Sequence, residues 1–500
     1  MKNNKYQNMK RNIFLSLALT TALFVNAQQK NTLLEASFWK TTPNTETVKA
    51  EIAKGNNPAE ANANAFDVTT LAINNDAPFA TITFLLDQPG NPINKSTHDN
   101  RIYLHWAAYR GNTELVNYLI SKGSDVNFED SHGTTPLVFA AGNGQSDPAL
   151  YEAFFKAGID PKKKYKDGEN LLLLGIPSDK DLKLADFLTT KGLSLKDTDK
   201  NGSTAFDYAA RTGNIVLLKK LLDRKVKATD NALLFATQGS RRETTSLETY
   251  KFLVEDLKLK PTVTSKSGDN VLHLLATKPN QKEIIAYFLS KGVDANKVNN
   301  DGNTPFMIAA GARENGALEL LLPTAKNINL QNPKGESALT MAVKSGTPEA
   351  VALLLGKGAD VKVLDKDGNN LGFYLVQAYR PDPKQDTFDA KAKLLQEKGL
   401  NLATPQKDGS TLYHFATAKN DLSLVKKLAS LNIDVNAKNK DGITALHKAA
   451  MVAKDDTILK YLLSIGAKKE LTTEFDESAY ALAKENESLT KQNISIEFLK

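Results

Sequence analysis

Histidine is the residue type here that most invites a metal or proton-transfer reading, because neutral imidazole ligates zinc and titrates near neutral pH. Four of the six histidines, His105, His273, His414 and His447, occupy equivalent positions, each just ahead of a short helix-forming run. Helices that stack at successive positions of this kind lie about 8–10 Å apart, so even His414 and His447 should not share one ion. His98 and His132 fall in turns with no partner pattern. Asp197, Asp199, Asn201 and Gly202 imitate the first half of a calcium loop, but the twelfth position, where such a loop needs an acid, is Tyr208.

Other chemistries lack their residues. There is no cysteine, which removes disulfides, thiolate nucleophiles, cysteine–zinc sites and a lipidated cysteine. The chain has no G-x-S-x-G, H-E-x-x-H, G-x-x-x-x-G-K-[ST] or G-x-G-x-x-G. No catalytic, metal-binding or cofactor-binding residue is assigned, no cofactor is expected, and the chain is read as a non-enzyme.

Lysine remains. Lys122, Lys191, Lys291, Lys357 and Lys398 each precede a glycine that ends a helix, where a cation complements the helix dipole. A second set, Lys166, Lys200, Lys266, Lys366, Lys407 and Lys440, stands two residues before a turn glycine and should line hairpin tips. Asp167, Asp367, Asp408 and Asp441 beside them halve the effect. The net charge of +7 is a weak guide to partners, since four of those charges are Lys2, Lys5, Lys10 and Arg11.

Those four cations precede an apolar run from Ile13 to Val25 that ends at Val25-Asn26-Ala27. The run is short against the roughly 20 residues of a spanning helix, so residues 1–27 read as a secretory signal peptide. Cleavage would leave Gln28 first. No stable membrane insertion is expected afterwards. Export without disulfides fits a bacterial envelope, which makes the periplasm the expected location and secretion the alternative.

The elements that must position these side chains recur. Gly133, Gly168, Gly202, Gly268, Gly302, Gly335, Gly368, Gly409 and Gly442 are mostly 33 or 34 residues apart. A self-similar unit of this length cannot bury its apolar face alone, so copies stack. In residues 335–367, Ser337 should cap a first helix whose inward side chains are Ala338, Leu339, Ala342 and Val343. Gly346 ends it, Pro348 starts a second helix, and Val351, Leu354 and Leu355 form that helix's buried stripe. Thr135-Pro136 and Thr304-Pro305 repeat the capping chemistry. Ala107-Ala108, Ala140-Ala141, Ala209-Ala210, Ala309-Ala310 and Ala449-Ala450 place small side chains where first helices must approach closely.

These segments resemble the ankyrin repeat family. The matching stretches are YLHWAAYRGNTELVNYLISKGSDVN at 103–127, LLLGKGADV at 353–361, IDVNAKNKDG at 433–442 and TALHKAA at 444–450. The resemblance implies an all-α solenoid of about 13 helix-turn-helix units with short β-hairpin turns, curved toward the first helices. It implies local hydrogen bonding for the four in-register histidines. Clear repeats span 100–477. Residues 28–99 are expected as degenerate N-terminal capping repeats, with copies at 33–64 and 65–96, and 478–500 as a C-terminal capping half-repeat. Extra length at 239–248 and 380–388 falls between the two helices of a unit.

The resemblance also implies function. Ankyrin repeats recognise other proteins through hairpin tips and a concave helix face. The two residues after the Ala-Ala step face that surface, which assigns Tyr109, Arg110, Arg211, Thr212, Lys278, Lys344 and Lys419 to it. Five of these are cations, so the expected partner is a protein with an acidic surface. The expected role is a protein-binding scaffold or regulator. The alternatives are a secreted effector of host proteins and a small-ligand-binding or enzymatic solenoid, whose mark would be a concave pocket with convergent polar groups. Nucleic acid is not expected, because aromatic and basic residues do not interleave.

Overall fold

A computed structural model describes residues 30–239, 245–382 and 384–500. The expected signal peptide, residues 240–244 of the first insertion and residue 383 of the second lie outside the described residues. Two compact units are present. One holds the chain up to Ala209 together with Leu217–Lys227, and the other holds Ala210–Val216 and Ala228–Lys500. Both are helical, and among the described residues the extended pairing consists of isolated antiparallel bridges Ala61–Asp67, Thr198–Thr204 and Thr472–Ser478 at hairpin bases.

One repeat explains the others. Ser337 adopts an extended backbone and its Oγ accepts from the Thr340 N–H at 3.3 Å, which starts the helix Ala338–Ser345. Thr347 does the same for Ala350 at 3.0 Å and starts Pro348–Gly356, with Pro348 in the first turn where no N–H is needed. Ala338, Leu339, Ala342, Val343, Val351, Leu354 and Leu355 are all buried, as their spacing predicts.

First helices pack on first helices. In the first unit Tyr103–Tyr109 lies against Pro136–Gly142. In the second unit Val271–Leu275, Pro305–Ala310, Ala338–Ser345, Leu371–Ala378, Leu412–Ala418, Ala445–Val452 and Ala479–Glu485 each contact the next. The alanine pairs Ala107-Ala108, Ala140-Ala141, Ala309-Ala310 and Ala449-Ala450 are buried where these helices meet. Gly346 marks how close they come, since a Cβ there would sit 2.2 Å from the Ala310 carbonyl oxygen.

The hairpin turns are tied into a ladder of backbone bonds. The N–H of Asn300 donates to Ser267 O at 2.8 Å, Lys366 to Lys334 O at 3.0 Å and Lys440 to Asp408 O at 2.8 Å. Gly335 shows why glycine occupies the turn: its φ is +78°, and a Cβ would lie 2.6 Å from the Lys366 nitrogen that makes the ladder bond.

The ends follow the same plan. The degenerate N-terminal copies carry the helices Thr45–Ala53, Val68–Asn74 and Phe79–Leu86. The segment expected as a half-repeat adds a short second helix, Glu487–Lys491, after Ala479–Glu485. Between them Asn486 donates from Nδ2 to the carbonyls of Ala450 and Ala453, at 3.0 and 2.9 Å, which fastens the last repeat to its neighbour. Among the described residues no helix is long and apolar enough to cross a membrane.

Candidate interaction surfaces

Each first helix offers two ends, and they differ in chemistry. At the N-terminal end sit the in-register histidines. His273 Nδ1 accepts from the Asn270 N–H at 3.1 Å while Nε2 donates to Asn303 O, in the next hairpin, at 3.1 Å. His414 bridges Thr411 N–H and Ile443 O at 3.0 and 2.9 Å, and His447 bridges Thr444 N–H and Leu471 O at 3.1 and 2.9 Å. His105 accepts from Ile102 N–H and donates to Thr134 O at 3.0 Å. Each ring thus clips a first helix to the following hairpin. Burial pulls the His105 imidazole down to about 4 and lowers His273, His414 and His447 in the same direction. These rings are structural.

The calcium-like stretch is also engaged. Asp199 Oδ1 accepts from the N–H groups of Asn201 and Ser203, both at 2.8 Å, and Oδ2 from the Tyr208 hydroxyl at 3.2 Å. Asp197 Oδ2 accepts from Asn170 Nδ2 at 2.8 Å and from the Ser194 N–H at 2.9 Å. No group of three or more His, Asp or Glu among the described residues is arranged to hold a metal ion. His132, which shows no partner pattern in sequence, approaches Asp99 Oδ2 at 3.5 Å from the next hairpin, and His98, the chain neighbour of Asp99, lies at the same distance.

The hairpin-tip lysines Lys166, Lys200, Lys266, Lys366, Lys407 and Lys440 are all exposed. The backbone N–H groups of Lys200, Lys366, Lys407 and Lys440 serve the ladder, and the Lys200 ammonium reaches back to Lys166 O at 2.9 Å.

At the C-terminal ends of the first helices lie the positions expected to form a basic stripe. Tyr109 is half-buried, with its ring 5.4 Å from that of Phe139, and Thr212 is exposed. The cations do not stand as a row of free charges. Arg110 pairs with Asp76, and Lys344 pairs with Glu336 at 2.8 Å. Burial pushes the Glu336 carboxyl up, but hydrogen bonds from Lys344 and Asn332 outweigh it and hold it below the ordinary value. Lys278 donates to Gln238 O and Lys419 to Gln377 O, each at 3.1 Å, and Arg211 Nε to Gly239 O at 3.3 Å. For Lys419 the reason is that the last carbonyls of a helix, here Gln377 O of Leu371–Ala378, have no intrahelical donor, and a long cationic side chain from the next repeat supplies one.

A cleft of about 570 Å³ in the second unit gathers four cations. It is walled by Gly311 and Arg313 after the helix Pro305–Ala310, by the Lys344–Glu349 turn, and by Ala378, Arg380, Gln385, Thr387 and Lys391. Arg313, Lys344, Arg380 and Lys391 face one acid, Glu349. Lys391 is 2% exposed and donates to Val343 O at 2.9 Å. Burial pushes its ammonium down to about 8. Burial, and then the Arg380 guanidinium, lower Lys419 as well. A neighbouring cleft of about 390 Å³ balances Lys278 and Lys282 against Glu283 and Glu314.

Sequence reasoning placed Lys344 and the Arg380 insertion on the surface and missed Arg313 and Lys391. Lys391 did leave a signal. It shares the buried face of Phe388–Glu397 with Phe388, Ala392 and Leu395, at the spacing of an apolar stripe.

Comparison with known proteins agrees with the repeat geometry. A family model for ankyrin repeats matches the chain three times, at residues 69–165, 242–332 and 385–473. The chain is 23% identical over 401 residues to human transient receptor potential cation channel subfamily A member 1, covering 77% of this chain and 32% of the channel. It is 28% identical over 185 residues to the B-cell lymphoma 3 protein homolog of Mus musculus, covering 36% and 39%. It is also 28% identical over 221 residues to a palmitoyltransferase of Lachancea kluyveri, covering 43% and 25%. The chain spans only 25% to 39% of the length of these three relatives.

Proposed function

Because the chain belongs to the ankyrin-repeat family, we propose that it is an exported, non-catalytic scaffold or regulator that binds another protein through hairpin tips and the exposed ends of its first helices. The observation that carries this reading is the contrast within each repeat. The imidazoles and carboxylates that could do chemistry are bonded inside the stack, while Arg110, Lys344 and the tip lysines remain exposed. The match to a palmitoyltransferase covers a quarter of that protein, so that protein's activity is not carried over to this chain.

Export rests on Lys2, Lys5, Lys10 and Arg11 ahead of the run Ile13 to Val25. Amino-terminal sequencing of the native protein should begin at Gln28. An intact Met1 on a cytosolic species overturns the localisation. Recovery from the culture medium instead of the periplasm moves the reading to a secreted effector.

The partner is tested by capture on the immobilised mature protein from native envelope, followed by rebuilding the complex from purified components. The expected result is one protein whose affinity falls as salt rises from about 0.05 to about 0.5 M, because exposed charges are screened. A complex that cannot be rebuilt, or that no protein enters, sinks the scaffold reading.

A further inference from the structure

We propose that the cleft between Arg313, Lys344, Arg380 and Lys391 is the anchoring site for an acidic peptide segment of the partner protein, whose carboxylates enter between these four cations. This rests on the protein-binding reading above and names the part of the surface where recognition concentrates.

Four observations converge. The charge is unbalanced: four cations face Glu349, and among the described residues only Lys344 of the four holds a carboxylate, that of Glu336. Arg313 has no partner among the described residues, and Arg380 makes one bond, from Nη1 to Tyr379 O at 3.3 Å. Lys391 is an ammonium withdrawn from solvent, with one of its three donors used, on Val343 O. A buried cation with spare donors is stabilised by an incoming anion more than an exposed one is, because less water screens the pair. Finally, the wall at Arg380, Gln385 and Thr387 belongs to the insertion that lengthens this repeat beyond its neighbours.

Shape and composition select the ligand. At about 570 Å³ the cleft falls within the roughly 300–1,000 Å³ range of ligand-holding clefts and exceeds what one small anion fills. Among the described residues no aromatic side chain lines it, so bases would have no stacking platform. Guanidinium groups at two of its walls suit bidentate pairing with carboxylates spaced along an extended chain. The balanced cleft at Lys278 and Glu314 has no such excess.

The test uses the mature chain and a fluorescein-labelled eight-residue peptide of alternating glycine and glutamate, with its glycine–glutamine counterpart, read by fluorescence anisotropy. The glutamate peptide should bind at least about tenfold tighter than the glutamine peptide. The Arg313→Glu/Arg380→Glu protein should lose about tenfold or more, whereas Lys468→Glu/Lys469→Glu, with the same change of charge elsewhere in the unit, should stay within about twofold. Acetic anhydride labelling of Lys391, read by mass spectrometry, should be suppressed by the glutamate peptide and not by the glutamine one. Equal affinity for the two peptides, an unaffected Arg313→Glu/Arg380→Glu protein, or labelling of Lys391 indifferent to the bound peptide overturns the proposal. Displacement of the peptide by inorganic phosphate at concentrations where acetate is without effect reassigns the cleft to phosphate and also overturns it. Each of these failures leaves the scaffold reading standing if the envelope complex can be rebuilt, so the two ideas fail separately.

Discussion

The two ends of the first helices hold their nitrogen-bearing polar side chains in opposite states. At the N-terminal end His273, His414 and His447 are buried and use both ring nitrogens. At the C-terminal end Arg313 and Arg380 are exposed and have no carboxylate to pair with among the described residues. Polar residue type alone therefore does not mark a binding surface in a stacked repeat. What marks it is whether the neighbouring repeat already supplies the partner. Where it does, the side chain holds repeats together; where it does not, bonding capacity remains for another molecule.

The largest expected effect comes from breaking the N-terminal end with acid. The folded His105 titrates near 4, against an unfolded value near 6.5, so between these values the unfolded chain binds a proton that the folded one refuses. Stability is therefore complete above about pH 6.5 and falls as pH drops, by about 3 kcal/mol from His105 alone once pH is below 4. His273, His414 and His447 act in the same direction. Thermal or urea unfolding between pH 7.5 and 5 should show this slope, and a flat profile means the rings are not buried and neutral.

Removing one clip is the next largest change. His273→Leu leaves the Asn270 N–H and the Asn303 carbonyl without their imidazole partner and should cost about 2 kcal/mol at neutral pH. Urea denaturation of the variant checks it, and an unchanged midpoint would show that the ring carries no stabilising bond. Gly335→Ala attacks the same end through the backbone. Forcing a Cβ onto a φ of +78°, beside the Lys366 nitrogen, should cost about 1–2 kcal/mol. A variant as stable as the parent would show that the hairpin ladder adjusts freely.

The smallest stability effect belongs to the other end. Arg313→Glu and Arg380→Glu should each leave the melting transition in place, within about 0.5 kcal/mol, because these side chains support no neighbour. Should either variant unfold early, the cleft is part of the stack and the contrast between the two ends collapses.

Much of the architecture was legible because it is local. Ser337, Thr347 and Pro348 act within one turn of themselves, Gly335 answers a backbone requirement at its own position, and the alanine pairs recur at one register. Such features follow from the order of residues along a few turns of chain. The shared slot of His105, His273, His414 and His447 was visible for the same reason, as was the insertion after Ala378.

The tertiary structure alone decided which polar groups are free. Lys419 meets Gln377 across 42 residues and Lys391 meets Val343 across 48, distances along the chain at which no spacing rule selects a partner. Pairing at the helix ends turned an expected stripe into bonded cations at Arg110, Lys278, Lys344 and Lys419, and it concentrated the excess charge around Arg313, Arg380 and Lys391. The physical reason is that a helix cap is a property of one segment, whereas the balance of charge and solvent in a cleft depends on three repeats meeting in space.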